Sequence, residues 1–493
     1  MKIYNTLTKI KEPLVPISPG QIKMYTCGQT VYNDIHIGNA RFYVAFDAIR
    51  RYLEYKGYKV SFVQNFTDID DKLIQRASDE NTTVKVLADK YIARTLEDLE
   101  SLGVAPATAY PRAMDEINEI IAMIGQLIKT GHAYEKNGSV YFNTTSTPDY
   151  GKLSRKNIDD LISGIRIEVS EEKQNPTDFI LWKPAKPGEP AWESPWGSGR
   201  PGWHIECSAM VRKYLGEEID IHGGGSDLIF PHHENEIAQS EAANNCNYAR
   251  CWMHTGMITS NHKKMSKSQD NFQTVRELAQ RFPYDLLRFY LVSGHYRMPM
   301  EFTDEVLTAA GQGLNRIKNC YRNLVHAEKT ASRYAISEDA LDQPGHTTYE
   351  KESKLRDEAI QDASRLDQAS LYIKDFESAM DDDFNTPDAV TAIYELVTYI
   401  NTTVETQPSP AQPLLQGLRE KLEHLCGILG ITLAQEVTGE DLDFDKEIEA
   451  LIEARQAARA ARNFAESDRI RDELAARGII VEDTPQGPRW HKA

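Results

Sequence analysis

Two cysteines, a histidine and a glutamate form the chemically most pointed set in the chain: Cys27, Cys207, His232 and Glu236. His232 and Glu236 stand four positions apart in Pro231-His232-His233-Glu234-Asn235-Glu236, where proline suits the first turn of a helix. An i, i+4 pair shares one helical face, as two ligands of a single metal ion require. Cys27 closes an apolar segment, and Cys207 lies in Trp203-His204-Ile205-Glu206-Cys207. Two thiolates, an imidazole and a carboxylate make a zinc set by donor chemistry. Spacing leaves the set open, because the cysteines are remote in sequence and His233 or Glu234 could serve instead.

Two further segments carry phosphate chemistry. His36-Ile37-Gly38-Asn39 falls where a strand should hand over to a helix. In a parallel sheet that junction faces a crevice where phosphates bind, and a histidine there can donate to phosphate oxygens. Lys264-Met265-Ser266-Lys267-Ser268 sets two ammonium groups three residues apart among hydroxyls, which suits a polyphosphate. Taken singly, a His-Ile-Gly tripeptide is commonplace and a Lys/Ser pentamer is more often a solvated loop. A third segment, Gly223-Gly224-Gly225-Ser226-Asp227, ends an apolar run. There Gly225 allows close approach to a nucleotide, and the Asp227 carboxylate can accept from ribose hydroxyls.

These residues need a frame. Ile22–Cys27 reads as a strand, Gly38–Tyr55 as a helix with Phe42, Ala45, Phe46 and Ile49 on one face, and Val60–Phe66 as the next strand. Strand–helix–strand order predicts an α/β, doubly wound parallel sheet of Rossmann type. From 111 to 201 the pattern loosens into one amphipathic helix, Met114–Lys129, and a Pro/Gly/Trp-rich stretch, which reads as an insertion. The α/β pattern resumes with Trp203–Tyr214, Ile219–His222 and a helix expected from Pro231 to Ala243. Beyond Val306 long helices are expected near Thr308–Glu328, Lys351–Met380, Asp388–Glu405 and Pro413–Leu429, an all-α bundle followed by a small terminal module. The expected division is a split catalytic domain at 1–110 and 202–270, the insertion at 111–201 and a linker at 271–305. A helical bundle at 306–430 and a C-terminal module at 431–493 complete it.

Composition narrows the class. A hydrophobic share of 41% with 26% charged residues is ordinary for a soluble protein, and no run is long enough for a signal peptide or membrane span. The cytoplasm is therefore expected. The six cysteines are few and scattered, which argues against a disulfide framework. A net charge of −18 weighs against a nucleic-acid partner. The last stretch, from Leu451, is a local exception that approaches neutrality, with arginines at 455, 459, 462, 469, 471, 477 and 489 and a tryptophan at 490. Solvated i, i+4 ion pairs would account for most of those arginines.

Together the motifs resemble the two signatures of class I aminoacyl-tRNA synthetases, the "HIGH" motif (here His36-Ile37-Gly38-Asn39) and the "KMSKS" motif. Asn39 stands where the consensus has its final His. The strings around Cys27, "PGWHIECSAM" and "GGGSDLIFPHHENE" resemble the cysteinyl-tRNA synthetase family across essentially the whole chain. By that resemblance the zinc ligands are Cys27, Cys207, His232 and Glu236, one zinc ion per chain, and Trp203 closes the pocket for the substrate side chain. It implies ATP with magnesium and L-cysteine as substrates and transfer RNA for cysteine, tRNA(Cys), as acceptor. His36, Gly38, Asn39, Gly225, Asp227 and Lys267 would contact ATP. His36, Lys264 and Lys267 would stabilise charge on the phosphoryl oxygens. The attacking carboxylate is already ionised at pH 7, so no general base is needed.

Zinc suits such a substrate because cysteine and serine are near-isosteres that ordinary side chains separate poorly. A thiolate-preferring ion worth roughly 5 kcal/mol discriminates several-thousand-fold, enough to dispense with editing. The resemblance also implies an anticodon-stem bundle, with Asp285-Leu286-Leu287-Arg288 as a loose "DALR"-like string, and a terminal module for anticodon bases. A monomer is expected. Two other readings compete: a cysteine:amino-sugar ligase of the mycothiol pathway, which lacks a long tRNA-reading extension, and a non-catalytic zinc or RNA-binding protein. Nearly 190 residues after Val306 speak against the first, and intact His36, Lys264 and Lys267 against the second.

Overall fold

A computed structural model describes residues 1–156, 172–260, 263–264, 273–336, 348–407, 410–433, 439–484 and 487–492. Met265 to Phe272, with Lys267, lie outside the described residues. Packing divides the chain into two compact units. The first comprises Met1–Leu314, Lys374–Ala392 and Gly427–Ile431, and the second comprises the remainder.

The first unit opens with a hairpin, β1 (Lys2–Asn5) and β2 (Ile10–Pro13). Then follow β3 (Gln21–Thr26), α1 (Ile37–Tyr55), β4 (Lys59–Gln64), α2 (Asp71–Asp79) and α3 (Val84–Ser101). Helix α4 (Ile117–Lys129) leads into β5 (Ala133–Lys136), β6 (Ser139–Phe142), β7 (Phe179–Pro184) and β8 (Gly199–Pro201), an antiparallel sheet in that order. Next come α5 (Trp203–Tyr214), β9 (Ile219–Gly225), α6 (Glu234–Asn244) and β10 (Ala249–Thr255). The unit continues with β11 (Ile258–Ser260), β12 (Lys263–Lys264), α7 (Val275–Ala279), α8 (Tyr284–Val292) and β13 (Met300–Glu301).

The central sheet has the order β10-β9-β3-β4, with every pair parallel. Its strands are buried along most of their length, as in a parallel sheet covered by helices on both faces. Tyr25, Val63, Ile219 and Trp252 meet Met210, Val211 and Ile237 of the flanking helices in one buried cluster. The chain leaves β3 toward β4 on one side, while β9 lies on the other. That reversal is a topological switch point, where the carboxyl ends of the strands open a crevice. The expected doubly wound α/β architecture is therefore present.

One expected element differs. The helix expected from Pro231 enters through a wider turn, Ile229–His233, and continues as α6 from Glu234; within that turn only Phe230, at φ −141° and ψ 133°, is non-helical. Proline's ring clashes with a helical conformation of the residue before it, so Phe230 cannot join the helix.

In the second unit, Arg419 at Nε pairs with Glu328 at 2.8 Å, and the Tyr321 hydroxyl donates to Glu423 at 2.9 Å. Leu324, Leu418 and Leu422 are buried there. Helices Gly439–Ala460 and Phe464–Ala476 and the antiparallel strands Ile479–Thr484 and Gly487–Lys492 follow. They enclose Ile448, Ile452, Ile470, Leu474 and Ile479. Arg469, Arg471 and Arg477 pair with neighbouring carboxylates, as solvated helix arginines do.

Candidate active site at the sheet switch point

A cavity of about 360 Å³ opens between the ends of β3 and β9, lined among others by Cys27, His36, Trp203, Gly225, Asp227 and Gly256. Gly38 and Asn39 line it too. It brings together residues that the sequence placed in three separate segments.

At one end four donor atoms converge. Cys27 Sγ and Cys207 Sγ are 3.7 Å apart, and Cys207 Sγ lies 3.5 Å from His232 Nε2. Glu236 Oε1 lies 3.1 Å from Cys27 Sγ and 3.0 Å from His232 Nε2. A tetrahedral ion with zinc's bond lengths would separate two sulfurs by about 3.8 Å and a sulfur from an imidazole nitrogen by about 3.6 Å. Those two edges fit. The two edges at Glu236 are hydrogen-bond lengths, so its oxygen must withdraw a few tenths of an ångström to admit a cation. All four residues are buried.

A surrounding layer orients these donors. Glu236 Oε2 receives His222 Nε2 at 2.9 Å and the Tyr248 hydroxyl at 3.0 Å, leaving Oε1 turned toward the sulfurs. His232 Nδ1 lies 2.9 Å from His204 Nδ1. Burial, reinforced by His232, lowers His204 to about 3, so His204 is neutral and can accept at Nδ1. His204 thus accepts the hydrogen bond from His232 Nδ1 and turns Nε2 of His232 toward the donor cluster. Burial opposes charge on His232, but Glu236 and Cys207 outweigh it and raise it to about 10, so Nε2 gives up its proton when a cation takes that place. Such hydrogen bonds to the far side of a ligand fix its tautomer and orientation.

The hydrogen bond from Cys27 holds the Cys207 thiol down to about 6 against burial, while burial pushes Cys27 well up. One sulfur is therefore ready as a thiolate near neutral pH, and thiolate is the ligating form. Burial opposes the charge on Glu236, but His222 and His232 outweigh it and keep the carboxyl well below its usual range.

The sequence left His233 and Glu234 open as ligands. Glu234 accepts from the backbone N–H groups of Gly151, Leu153 and Ser154, which commits its carboxylate elsewhere. His233 belongs, with Cys27, His222 and Glu236, to a second group of closely spaced donors among the described residues. Its Nε2 lies farther from Glu236 Oε1, at 3.9 Å, and its Nδ1 pairs with His254 at 2.8 Å. The group with two sulfurs is the better soft-metal set. His204, His222 and Tyr248 escaped the sequence reading. The one available signal was His204, which stands three positions before Cys207 on the same helix.

Trp203 is 41% exposed and stacks on His232 with ring centroids 4.2 Å apart. It is a cavity wall and not a core aromatic beneath the sheet.

The other end of the cavity is the start of α1. His36 caps the helix: its Nδ1 accepts from the N–H groups of Gly38 at 3.0 Å and Asn39 at 3.2 Å. Asn39 Oδ1 accepts in return from the His36 N–H at 3.2 Å, closing a capping box. A Cβ on Gly38 would meet the His36 ring at 2.8 Å, so glycine is required for this cap. With Nδ1 accepting, the neutral ring holds its proton on Nε2, the nitrogen able to donate.

The chain that carries Lys264 returns to this same point. Residues 35–37 pair with 273–275: Val275 N–H donates to Ile35 at 2.9 Å and Ile37 N–H to Gln273 at 3.3 Å. Lys264 itself lies in β12, paired with Thr259 of β11. Nine residues after Lys264 the chain is thus back at the start of α1.

Three family models match: the tRNA synthetases class I (C) catalytic domain over residues 13–312, the DALR domain over 375–434 and the cysteinyl-tRNA ligase anticodon binding domain over 441–490. The cysteine–tRNA ligase of Lachnoclostridium phytofermentans is 50% identical over 494 residues, which covers 100% of both chains. The chain belongs to the cysteine–tRNA ligase family. A second cysteine–tRNA ligase, from Symbiobacterium thermophilum, is 49% identical over 496 residues, again 100% of each chain.

Cysteine–tRNA ligase membership makes the chain a class I aminoacyl-tRNA synthetase, an ATP-dependent ligase. It disfavours both the amino-sugar ligase and the non-catalytic reading. The string Asp285–Arg288 falls within the catalytic match and ahead of the DALR match. Mycobacterium tuberculosis methionyl-tRNA synthetase, solved with methionyl-adenylate, shares the fold with a TM-score of 0.57 at 17% identity, over 83% of this chain and 89% of that one. Among the described residues no helix is long and apolar enough to cross a membrane.

Proposed function

We propose that the chain joins L-cysteine to tRNA(Cys) in two steps within this cavity, and that one zinc ion held by Cys27, Cys207, His232 and Glu236 reads the substrate thiol. The observation that carries the reading is the convergence, in one cavity, of a sulfur-rich donor set and a histidine-capped helix start. When bound, the zinc ion supplies thiol selection: it favours sulfur over a serine hydroxyl and lowers the thiol's pKa.

The remaining work falls to the chain's own residues. A carboxylate oxygen of cysteine attacks the α-phosphorus of ATP, the bond to the bridging oxygen breaks, and pyrophosphate leaves with magnesium. His36 donates from Nε2 to a phosphoryl oxygen, and Lys267 with Lys264 offsets the charge that grows there. Catalysis is positioning plus electrostatics, because the nucleophile is already charged. Gly38 and Asn39 face the phosphates at the helix start, and Gly225 and Asp227 hold the ribose. Trp203 closes the thiol pocket above His232. The 3′-terminal ribose hydroxyl of the tRNA then attacks the acyl carbon, AMP leaves, and the hydroxyl proton is released.

We assign residues 1–110 and 202–270 to the catalytic domain, 111–201 to the insertion and 271–305 to the linker. Residues 306–430 would meet the anticodon stem, and 431–493 the anticodon. We place the protein in the cytoplasm as a monomer; the free state of all six cysteines fits a reducing compartment. Lys267→Ala tests the adenylation assignment. Cysteine-dependent ATP–pyrophosphate exchange should fall by about 100-fold or more with zinc content unchanged. Normal exchange would remove Lys267 from the mechanism.

A further inference from the structure

Arg41 sits one turn into α1 and is 1% exposed. A buried guanidinium ordinarily has a carboxylate partner, because an isolated buried charge is costly. Here the hydrogen-bond partners are main-chain carbonyl oxygens. Nη1 donates to Met257 at 3.0 Å, and Nη2 donates to His295 at 3.0 Å, to Tyr296 at 3.3 Å and to Met298. Burial lowers Arg41 to about 10, which still leaves it charged at neutral pH.

Those carbonyls belong to two segments that form a single joint. Met257 and Ile258 line the cavity, and β11 follows directly, pairing with β12 and Lys264. His295 to Met298 lead into β13, which runs parallel to β11. Gly256 N–H donates to Tyr296 at 2.8 Å, and Met300 N–H donates to Met257 at 3.0 Å. A Cβ on Gly256 would meet the Met298 carbonyl oxygen at 2.4 Å, so the two segments touch backbone to backbone. Arg41 ties this joint to the helix that carries His36 at its start.

We infer that Arg41 is a positioning residue for cysteine activation, which sets the nucleotide-side cavity wall and the strand bearing Lys264 against the His36 end of α1. The inference rests on the roles proposed above for His36 and Lys264. Lysine at this position keeps the charge but has one donor centre in place of a planar fork, so it cannot reach both segments at once. The thiol corner lies outside the joint and should not respond.

The test is Arg41→Lys in the full-length protein, read by cysteine-dependent ATP–pyrophosphate exchange. The expected result is a fall in kcat of roughly 10–100-fold, with a raised KM for ATP. The KM for cysteine and the zinc content should stay within about twofold of the parent. Arg41→Gln should be worse than Arg41→Lys. Gly256→Ala strains the same joint without touching Arg41 and should reproduce the split between ATP and cysteine parameters. Unchanged kcat in Arg41→Lys overturns the inference, as does equal damage to cysteine KM, zinc content and ATP parameters, the mark of a merely structural role. Lys264→Ala separates the two levels. If it leaves exchange intact, the proposed role of Lys264 fails; if it cripples exchange while Arg41→Lys does not, only the role of Arg41 fails.

Discussion

The two ends of the cavity are built on opposite plans. At the thiol end, buried side chains hold other side chains: His204 sets His232, while His222 and Tyr248 set Glu236. At the nucleotide end, backbone and capping contacts dominate, with His36 bound to the first helical N–H groups and residues 273–275 strung along 35–37. The difference fits the roles proposed for the two ends. Telling sulfur from oxygen requires donors fixed before the substrate arrives. Stabilising a phosphoryl group in reaction requires fixed dipoles around space that ATP fills and pyrophosphate vacates.

The contrast breaks most visibly at His36. Asparagine is a good N-cap, so His36→Asn should preserve the start of α1 while deleting the Nε2 donor. Exchange should fall by about 100- to 1,000-fold with an unchanged melting temperature and unchanged zinc content. Comparable losses of stability and activity would show that the cap, and not the donor, is what His36 contributes.

A smaller effect is expected from the layer behind the proposed metal ligands. His222 stacks on Trp252 with centroids 4.3 Å apart, and phenylalanine can keep that contact while removing the hydrogen bond to Glu236. His222→Phe should weaken zinc binding by roughly 10- to 100-fold and raise the KM for cysteine more than that for ATP. Zinc affinity equal to the parent's would mean that Glu236 needs no such support.

The same contrast explains what the sequence could reveal. The strand–helix order around Cys27 and His36 was legible because apolar runs alternate with an amphipathic helix, and the parallel sheet followed from it. The motifs singled out Gly225, Asp227 and the segment that begins at Lys264, since each is a short contiguous string. The metal set was legible only through resemblance, because Cys27 and Cys207 meet by folding and no spacing connects them. His222, Tyr248 and Arg41 act by touching residues remote in the chain, which periodicity does not encode. The proline at 231 marked where helical backbone begins, because Phe230 before it has to be extended, but the wider first turn left no trace in the pattern.

The central claim is that the sulfur-rich corner selects the substrate. Its most direct test is zinc content measured together with exchange supported by cysteine and by serine, before metal removal, after it and after zinc is restored. One zinc ion per chain is expected, with cysteine-dependent exchange lost on removal and recovered on restoration. Cysteine preference over serine that persists undiminished in the metal-free protein would contradict the account.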